Sequence, residues 1–564
     1  MTTTLRHTLL ALALALSGAG AAAQVALNGK TLTPDLSRNR YLCPAPQNRF
    51  GQSFSAVVTI DPDSAWTEVA INGTPVDNTL TCTFARLDGT TAHRITARRP
   101  DGSRVDAQLM FTSLPLLHII APPFSTEYQP ATLILSYPDL TPADTLNMRV
   151  KWRGSTTLMP SRHKRNFHIK LTDNNGNKRD RRLLGMRNDN SWLLDAGQID
   201  PSRIRNLAAN RLWLHYATPP YYAHLEPQAR TAINGRLTEV VINNRYEGIY
   251  TLFEALDRKQ LKLNKHDQNT GTFHGMLWKA QKRDLITRFA ETPELPDINK
   301  ASWGGFDVKY PDPDEVMPTH WQTLYYVVDR VSYAYDSELK RIAADLFDLP
   351  VMRDYYLLVY LLNAIDNHAK NLYWACHDVD SLQRLTLGIW DLDCTVGQDW
   401  TNTPYRPENR VGPTVNLNFG NGAFTRINAH APGFAQDVNN RYNLLRKTAF
   451  HEDSLVGIYH TLIDTLIASG ATLRETERWS GDTDLGGQPL DFENEKRYIA
   501  DWLHARLAFL DTEIFPNSAV DIIQAPQPEP SAYYDLTGRL VTTRPLPPGV
   551  YITDTRRKIH IAAP

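Results

Sequence analysis

The sequence has no excess of charge of either sign, few cysteines and, beyond its N-terminal region, no long apolar run. Its 564 residues include 60 Lys and Arg against 61 Asp and Glu. Bulk charge therefore gives no reason to expect nucleic acid or an acidic membrane surface as a partner. No later run reaches the ~18 apolar residues of a membrane-spanning helix. A hydrophobic content of 42% is typical of a folded protein, and the length predicts two to four domains.

The N-terminus has the pattern of an export signal. Arg6 and His7 form a short basic region, Leu9–Leu16 is apolar, and small residues follow up to Ala23. We expect residues 1–23 to be a signal peptide, which predicts an exported protein that is periplasmic, cell-surface or secreted. No cysteine follows the small residues, so no lipid anchor is expected at that position.

Only four cysteines are present: Cys43, Cys82, Cys376 and Cys394. An exported protein can form disulfides, and four cysteines permit three connectivities. Proximity along the chain predicts the pairs Cys43–Cys82 and Cys376–Cys394.

Changes in pattern along the chain predict its domains. Residues 24–112 contain short alternating runs separated by turns such as Asn72-Gly73, which predicts a small, accessory all-β sandwich. Residues 113–516 begin with alternating runs and become mostly helical from about residue 317, which predicts an α+β, two-lobed unit. A Pro-rich linker is expected at 517–530, followed by a short β module at 531–564.

One stretch concentrates the polar chemistry: "LLNAIDNHAKNLYWACHDVDSLQRLTLGIWDLDCTVG". Asp366 and Asn371 precede the predicted strand "LYWAC", and Asp391 follows the predicted strand "LTLGIW". Because the paired ends of an antiparallel hairpin lie side by side, these three residues should converge. Two carboxylates and an amide suit a magnesium ion, with one carboxylate available as a base.

The order and spacing are those of a protein-kinase catalytic loop, in which Asp, four residues and Asn precede a further Asp. Asp and Asn are also common turn residues, and Asp366-Asn367 alone is explained as a cap and turn. The sequence departs from the usual kinase pattern, because it has no His-Arg before Asp366, no Asp-Phe-Gly and no kinase-type Gly-rich loop.

Several segments, in order, resemble the CotH (spore coat protein H) kinase family of exported atypical kinases over roughly residues 114–510. They are "LPLLHI", "RVKWRGST", "KRNFHIKL", "LLGMRNDNSWLLDAGQIDPSRIRN", "EVVINNRYEGIYTLFEALD", "GFDVKYPDPDE", "AIDNHAKNLYW" and "GIWDLD". The resemblance implies an atypical protein-kinase-like fold that uses ATP with Mg²⁺ or Mn²⁺. It also implies that Asp366 is the catalytic base and that Asn371 and Asp391 are metal ligands, with Asp393 as a second candidate ligand.

The same resemblance indicates the nucleotide-binding residues. Lys164 or Lys170 would hold the phosphates; the alternation of "NFHIKL" places both on one face of the strand, and the choice between them stays open. Arg153 belongs to a turn of the family's RGxS type that would cover the phosphates. Backbone groups from Phe253 to Ala255 would contact adenine. A role for His368 in stabilising the transferred phosphate and a packing role are both open.

The sequence therefore predicts an exported phosphotransferase that phosphorylates Ser or Thr hydroxyls of secreted or surface proteins. An alternative is a catalytically inactive surface scaffold that binds glycan or protein, and a third is a phosphotransferase acting on a small molecule. The tail "YDLTGRLV … PGVYIT … RRKIHI" resembles C-terminal modules of exported Bacteroidetes proteins, some of which are secretion signals. The oligomeric state and the acceptor cannot be inferred from the sequence.

Overall fold

In the computed structural model, the N-terminal part folds into ten strands that form two sheets. The structure describes residues 25–60, 67–76, 81–98, 101–139, 141–291, 294–381, 383–400 and 411–516, together with 533–534, 540–541, 549–553 and 558–561. The strands are β1 Val25–Leu27, β2 Lys30–Thr31, β3 Thr33–Asp35, β4 Arg40–Pro44, β5 Phe54–Ile60, β6 Thr67–Ile71, β7 Thr74–Pro75, β8 Thr81–Phe84, β9 His93–Arg98 and β10 Arg104–Thr112.

The two sheets have the orders β2-β1-β5-β8 and β3-β4-β10-β9-β6-β7. Alternating residues such as Cys82 and Phe84 on β8, and Ile95 and Ala97 on β9, bury their side chains in one apolar core that both sheets share. The sheet-rich N-terminal region predicted from the sequence is therefore confirmed.

Both predicted disulfides are wrong, because all four cysteines are buried free thiols. Cys43 and Cys82 belong to different sheets, and burial raises the pKa of the Cys43 thiol to about 12, which disfavours the reactive thiolate. In the second pair, Leu372 faces Ile389 at one end of the hairpin. Cys376 lies at the other end of its strand, about 13 Å away, whereas Cys394 follows Ile389.

The next seven long strands close into a barrel. They are β11 Leu116–Ile120, β12 Gln129–Ser136, β13 Asp144–Arg153, β14 Asn166–Thr172, β17 Ser191–Asp195, β18 Gly235–Ile242 and β19 Arg245–Glu254. The order is β11-β12-β13-β14-β17-β19-β18, and β11 closes the barrel by pairing in parallel with β18. A short separate ladder joins β15 Arg181–Arg182 to β16 Asn188–Asp189.

Alternation places the apolar side chains of the barrel strands inside. On β14, Phe167, Ile169 and Leu171 belong to the barrel core. The hairpin β18–β19 turns at Asn243 and Asn244, whose φ values of 47° and 63° are those that a tight two-residue turn requires. The strand pair and its turn are as the sequence predicts.

A second sheet has the order β21-β22-β20-β23-β24. Its strands are β20 Met276–Ala280, β21 Ser302–Trp303, β22 Phe306–Tyr310, β23 Leu372–Cys376 and β24 Thr386–Ile389. The helices are α1 Arg205–Tyr216, α2 Arg258–Leu261, α3 Gln322–Tyr333, α4 Asp336–Leu346, α5 Leu349–Leu362, α6 Leu417–Gly420, α7 Gly422–His430, α8 Phe434–Arg446, α9 Glu452–Ala468, α10 Ala471–Trp479 and α11 Phe492–Phe509. Helix α5 is buried on nearly all sides, as its apolar sequence predicts.

The sandwich packs directly on the barrel and on helix α10. Leu42 and Met110 of the sandwich share an apolar cluster with Leu116, Val241 and Tyr246 of the barrel. Gly89 lies against the residues that connect α9 to α10, because a Cβ on Gly89 would lie 2.1 Å from the Ser469 carbonyl oxygen. The predicted boundary at residues 112 and 113 stays a prediction.

Residues 511–564 form a second compact unit. Its described strands, β25 Tyr533–Tyr534, β26 Gly549–Thr553 and β27 Lys558–Ile561, form an antiparallel three-stranded sheet. The predicted signal peptide (1–23) and linker (517–530) lie outside the described residues. Among the helices that the structure describes, none is long and apolar enough to cross a membrane.

Candidate functional site

The catalytic-loop candidate, residues 364–371, runs from the end of helix α5 to the start of β23. The amide N–H of Asn371 donates to the Ala280 carbonyl at 3.0 Å, which fixes the loop on β20. Leu372 pairs with Ile389, so Asn371 and Asp391 flank the same end of the hairpin. Both residues have left-handed backbones, with φ values of 56° and 57°, which Asn and Asp tolerate better than most side chains.

The Asp366 carboxylate lies at the centre of this loop. Asn371 Nδ2 donates to Asp366 Oδ2 at 2.9 Å. Two cations also contact the carboxylate: Lys370 Nζ lies 2.8 Å from Oδ2, and Arg283 Nη2 lies 3.6 Å from Oδ1. Asn367 Nδ2 donates to the Trp390 carbonyl at 2.8 Å, so the loop is tied to the residue that precedes Asp391.

Asp391 and Asp393 add further carboxylates to the same region. The side chain of Asp391 is exposed and that of Asp393 is half-buried. Burial, followed by the charges of Asp391, Asp195 and Asp366, raises the pKa of Asp393 well above its usual range. Carboxylates that lie close together repel unless a proton or a cation lies between them. Asp366 and Asn371 are therefore in contact, and the charges of Asp391 and Asp366 both act on Asp393; the metal and base roles of these residues stay predictions.

A small cleft lies beside Asp391. Its lining residues come from the barrel, from α1 and from the end of the hairpin: Arg153, Asn166, Leu193, Asp195, Asn206, Ile233, Phe253, Trp390 and Asp391. The Arg153 guanidinium lies 5.3 Å from the centre of the Trp390 ring. Asn206 connects Asp195 to the backbone between Asp391 and Asp393, because it donates to Asp195 Oδ2 at 2.6 Å and accepts from the Leu392 N–H at 3.2 Å.

Only some of the residues predicted to contact the nucleotide line the cleft. Arg153 and Phe253 line the cleft, whereas Ala255 follows the end of β19 and is not among the lining residues. Lys170 lies on the outer face of β14, with its Nζ 4.9 Å from the centre of the Tyr128 ring. Neither Lys170 nor Lys164 lines the cleft.

Lys164 is fully buried against helix α10. Its Nζ lies 2.8 Å from Glu475 Oε1 and donates to the Ile249 carbonyl at 2.6 Å. Burial lowers the pKa of Lys164 to about 7, an effect that the Glu475 charge opposes. Strand β14 begins only at Asn166, so the alternation does not extend back to Lys164. The predicted shared face with Lys170 is therefore wrong.

Lys279 is a cation of the cleft region that the sequence reasoning missed. It lies on β20, with its Nζ 5.3 Å from the centre of the Trp390 ring. Burial lowers the pKa of Lys279 to about 7, and the Asp391 charge opposes that shift, so the two side chains are electrostatic neighbours. The available signal was a single lysine within the apolar strand "MLWKA".

His368 follows Asp366 by two residues and packs against helix α6. A Cβ on Gly420 would lie 2.8 Å from His368 Cδ2, and Asn421 Nδ2 donates to the His368 carbonyl at 2.9 Å. Burial, with the charges of Arg283, Arg288 and Lys370, lowers the pKa of His368 to about 4. The neutral, packed ring favours the packing role.

Two groups of the described residues have side-chain ligand atoms within 4.8 Å of one another: His163 with Asp482 and Asp484, and His274 with Asp378 and Asp380; the set Asp366, Asp391 and Asp393 does not meet that distance. Neither group includes a residue predicted as a metal ligand.

Comparison with known proteins supports the kinase-like reading of the sequence. Residues 150–510 match the model of the family described as CotH kinase protein, which is more than half of the chain. A solved structure, that of the Helicobacter pylori proinflammatory kinase CtkA, is similar at 11% identity over 60% of this chain and 90% of that chain. Its TM-score of 0.24 is too low to support an argument about the fold. No curated protein matches the sequence.

Proposed function

Because this chain belongs to the CotH kinase family, we propose that it is an ATP- and magnesium-dependent phosphotransferase that phosphorylates Ser or Thr hydroxyls of secreted or surface proteins. The observation that supports this best is the Asp366–Asn371 contact in the catalytic loop together with the neighbouring Asp391 and Asp393, of which Asp391 lines a small cleft. The barrel would form one lobe, and the second sheet with its helices would form the other.

The acidic group fits a divalent cation. Asn371 uses its Nδ2 on Asp366, which leaves its amide oxygen for a metal, and hard cations prefer carboxylate and amide oxygens. Asn371, Asp391 and Asp393 would hold Mg²⁺ or Mn²⁺. When bound, the cation would neutralise charge on the nucleotide phosphates.

Asp366 would orient the acceptor hydroxyl and take its proton. A general base must lie within hydrogen-bond reach of the proton that it removes. The carboxylate is held on both oxygens by cations and by Asn371, so its orientation is set before the acceptor binds. Such positioning, rather than covalent chemistry, carries most of the catalysis in phosphoryl transfer.

Cations of the cleft would hold the phosphates. Arg153 lines the cleft and Lys279 lies beside Asp391, so both are better placed than Lys164, whose Nζ is occupied by Glu475. The backbone near Phe253 and Ala255 would contact the base.

Export is proposed from the sequence pattern of residues 1–23 and of the C-terminal tail. Exported compartments contain little ATP, so the enzyme would act in transit or use extracellular nucleotide.

The proposed function is tested with the purified chain, labelled ATP, Mg²⁺ or Mn²⁺ and a mixture of protein acceptors. We expect metal-dependent transfer of label to protein, and Asp366→Asn should reduce it by about 10²–10⁴-fold, the usual contribution of a general base, while nucleotide binding persists. Asp345→Asn is a matched control, because that carboxylate is 74% exposed on α4. Absence of transfer from the wild-type chain with either metal would leave the inactive scaffold as the better explanation.

A further inference from the structure

Two cations next to Asp366 remain open to solvent. Arg283 and Lys370 contact the carboxylate at 3.6 Å and 2.8 Å, and their side chains are 39% and 32% exposed. In a productive complex an Asp366 oxygen must accept a hydrogen bond from the acceptor hydroxyl. Both cations would then lie beside the acceptor residue, with Arg283 Nη2 also donating to the Ile365 carbonyl at 3.2 Å.

A third cation, Arg288, connects these residues to helix α6. Arg288 Nε donates to the Gly420 carbonyl at 3.2 Å, and Gly420 packs on His368 in the catalytic loop. The segment 281–291, the catalytic loop and α6 therefore meet on one side of Asp366. The pKa of His368 is lowered in part by Arg283, Arg288 and Lys370 together, which is consistent with a concentration of positive charge there.

Exposed apolar side chains border the same cations. Phe419, which precedes Gly420, is 82% exposed, and Leu285, two residues after Arg283, is 48% exposed. Single exposed apolar residues are ordinary, but these two belong to the segment 281–291 and to helix α6, which Arg288 connects beside His368 of the catalytic loop. The neighbouring acid Asp284 accepts a hydrogen bond from the Ile286 N–H of its own turn at 3.4 Å.

We propose that Arg283, Leu285, Arg288, Lys370 and Phe419 form the acceptor-binding surface, and that its partner is a polypeptide segment with acidic residues next to the phosphorylated hydroxyl and an apolar residue nearby. The inference deepens the proposed function and rests on it. The partner is inferred from charge complementarity. The three cations Arg283, Arg288 and Lys370, near the catalytic base, favour an acceptor that carries carboxylates and repel a basic one.

Binding tests the surface without requiring catalysis. The probes are two labelled Ser-containing peptides of equal length, one with Asp and Glu and the other with Lys and Arg around the serine, and the protein is the Asp366→Asn chain. We expect the acidic peptide to bind about tenfold more tightly and the preference to weaken as salt is added. Arg283→Glu should abolish the preference, Arg283→Gln should reduce it, and Phe419→Ala should weaken binding of a peptide that carries an apolar residue.

Lys340→Glu is the matched control, because Lys340 is exposed on α4 and lies outside this surface; its preference should equal that of the parent chain. Equal binding of both peptides, tighter binding of the basic one, or an acidic preference that survives Arg283→Glu would each overturn the proposal.

A second experiment separates this inference from the proposed function. The ratio of kcat/KM for the acidic and the basic peptide is compared between the wild-type chain and Arg283→Glu, so that a general loss of activity cancels. Acidic preference in the wild type that falls about tenfold in the variant supports the surface. Transfer with no preference overturns the surface but leaves the kinase, whereas selective binding without any transfer supports the surface and contradicts the kinase.

Discussion

Single residues at the site carry backbone conformations that few side chains adopt. Asn371 and Asp391 both have φ near 56°, and left-handed residues other than glycine are uncommon and concentrate at functional sites. The backbone thus places both polar side chains at the same end of the strand pair, one before β23 and one after β24. This explains why an Asn and an Asp, which tolerate that conformation, occupy the two positions.

The first prediction distinguishes the roles of Asp391 and Asp393 in metal binding. Asp391→Ala should remove the Mg²⁺-dependent rise in melting temperature that ATP produces, because a ligand stabilises the folded chain only as far as it binds. Asp393→Ala should reduce that rise less, while raising the melting temperature of the metal-free chain, since it removes a carboxyl group held in a repulsive environment. If Asp391→Ala responds to ATP as the wild type does and Asp393→Ala does not, the two roles are reversed.

A second prediction concerns the phosphate cation. Lys279→Met should weaken ATP binding by about tenfold or more, since it removes a charge-assisted contact, whereas Lys170→Met, on the outer face of β14 near Tyr128, should change it little. Titration of each variant with ATP and Mg²⁺ measures the difference. If only Lys170→Met lost affinity for ATP, Lys170 on β14 would be the residue that binds the phosphates, and Lys279 would not.

The spacing of residues along the sequence allowed the acidic residues to be predicted, but it did not identify Lys279. Asp366, Asn371 and Asp391 are fixed by one hairpin, so their convergence follows from antiparallel pairing. Lys279 lies near Trp390 and Asp391 only because β20 pairs with β23, a contact between segments almost one hundred residues apart. Lys164 was misplaced because its tertiary partner, Glu475, lies on a helix more than three hundred residues later.

At the scale of elements, alternation predicted the strands β13, β14, β18 and β19, short apolar runs around a turn predicted the hairpin β23–β24, and an apolar surface on nearly all sides predicted the buried helix α5. The closure of the barrel was not predicted. It depends on parallel pairing of β11 with β18, whose residues are separated by more than one hundred positions, and periodicity within a strand gives no information about such a partner.

The parallel pairing of β11 with β18 contains a buried histidine, which should make the stability of the fold depend on pH. His118 on β11 is 6% exposed, and burial lowers its pKa to about 4. Between about pH 6.5 and pH 4 the unfolded chain binds a proton at this position and the folded chain does not. The free energy of unfolding should therefore fall as the pH is lowered through this window, by up to about 3 kcal/mol from this residue.

Chemical denaturation of the wild-type chain and of His118→Gln at several pH values from 7 to 4 measures this contribution. The difference between the two chains isolates His118 from the other buried histidines. His451→Gln, at a side chain that is 55% exposed, is the control and should leave the slope unchanged. Parallel pH profiles of wild type and His118→Gln would contradict the assignment.

At the scale of the whole molecule, buried ionic contacts join the sandwich to the rest of residues 1–510. Arg474 on α10 lies 2.7 Å from Glu239 of the barrel, with both side chains fully buried, and its Nη1 donates to the Gly89 carbonyl of the sandwich at 2.8 Å. Tyr246 Oη donates to Glu239 Oε1 at 2.6 Å. The Arg474 guanidinium thus connects helix α10, the barrel and the sandwich.

Arg474→Ala should lower the free energy of unfolding by about 3–5 kcal/mol, because it leaves the Glu239 carboxylate buried without its cation. Denaturant titration measures the loss. Arg94→Ala, which breaks the exposed pair with Asp106, should cost less than about 1 kcal/mol. Similar losses in the two variants would show that the buried contact does not stabilise the fold more than a surface pair does.

The close approach of Gly89 to the α9–α10 connection has a consequence for inheritance. A Cβ on Gly470 would lie 2.0 Å from the Gly89 carbonyl oxygen, and a Cβ on Gly89 would collide with the backbone on the opposite side, so neither position accepts a larger residue unless the backbone moves. Gly89 and Gly470, which are separated by most of the coding sequence, must therefore both remain glycine. A recombination event that exchanged the sandwich for another domain would break this match, so in this lineage the two parts should descend as one inherited piece.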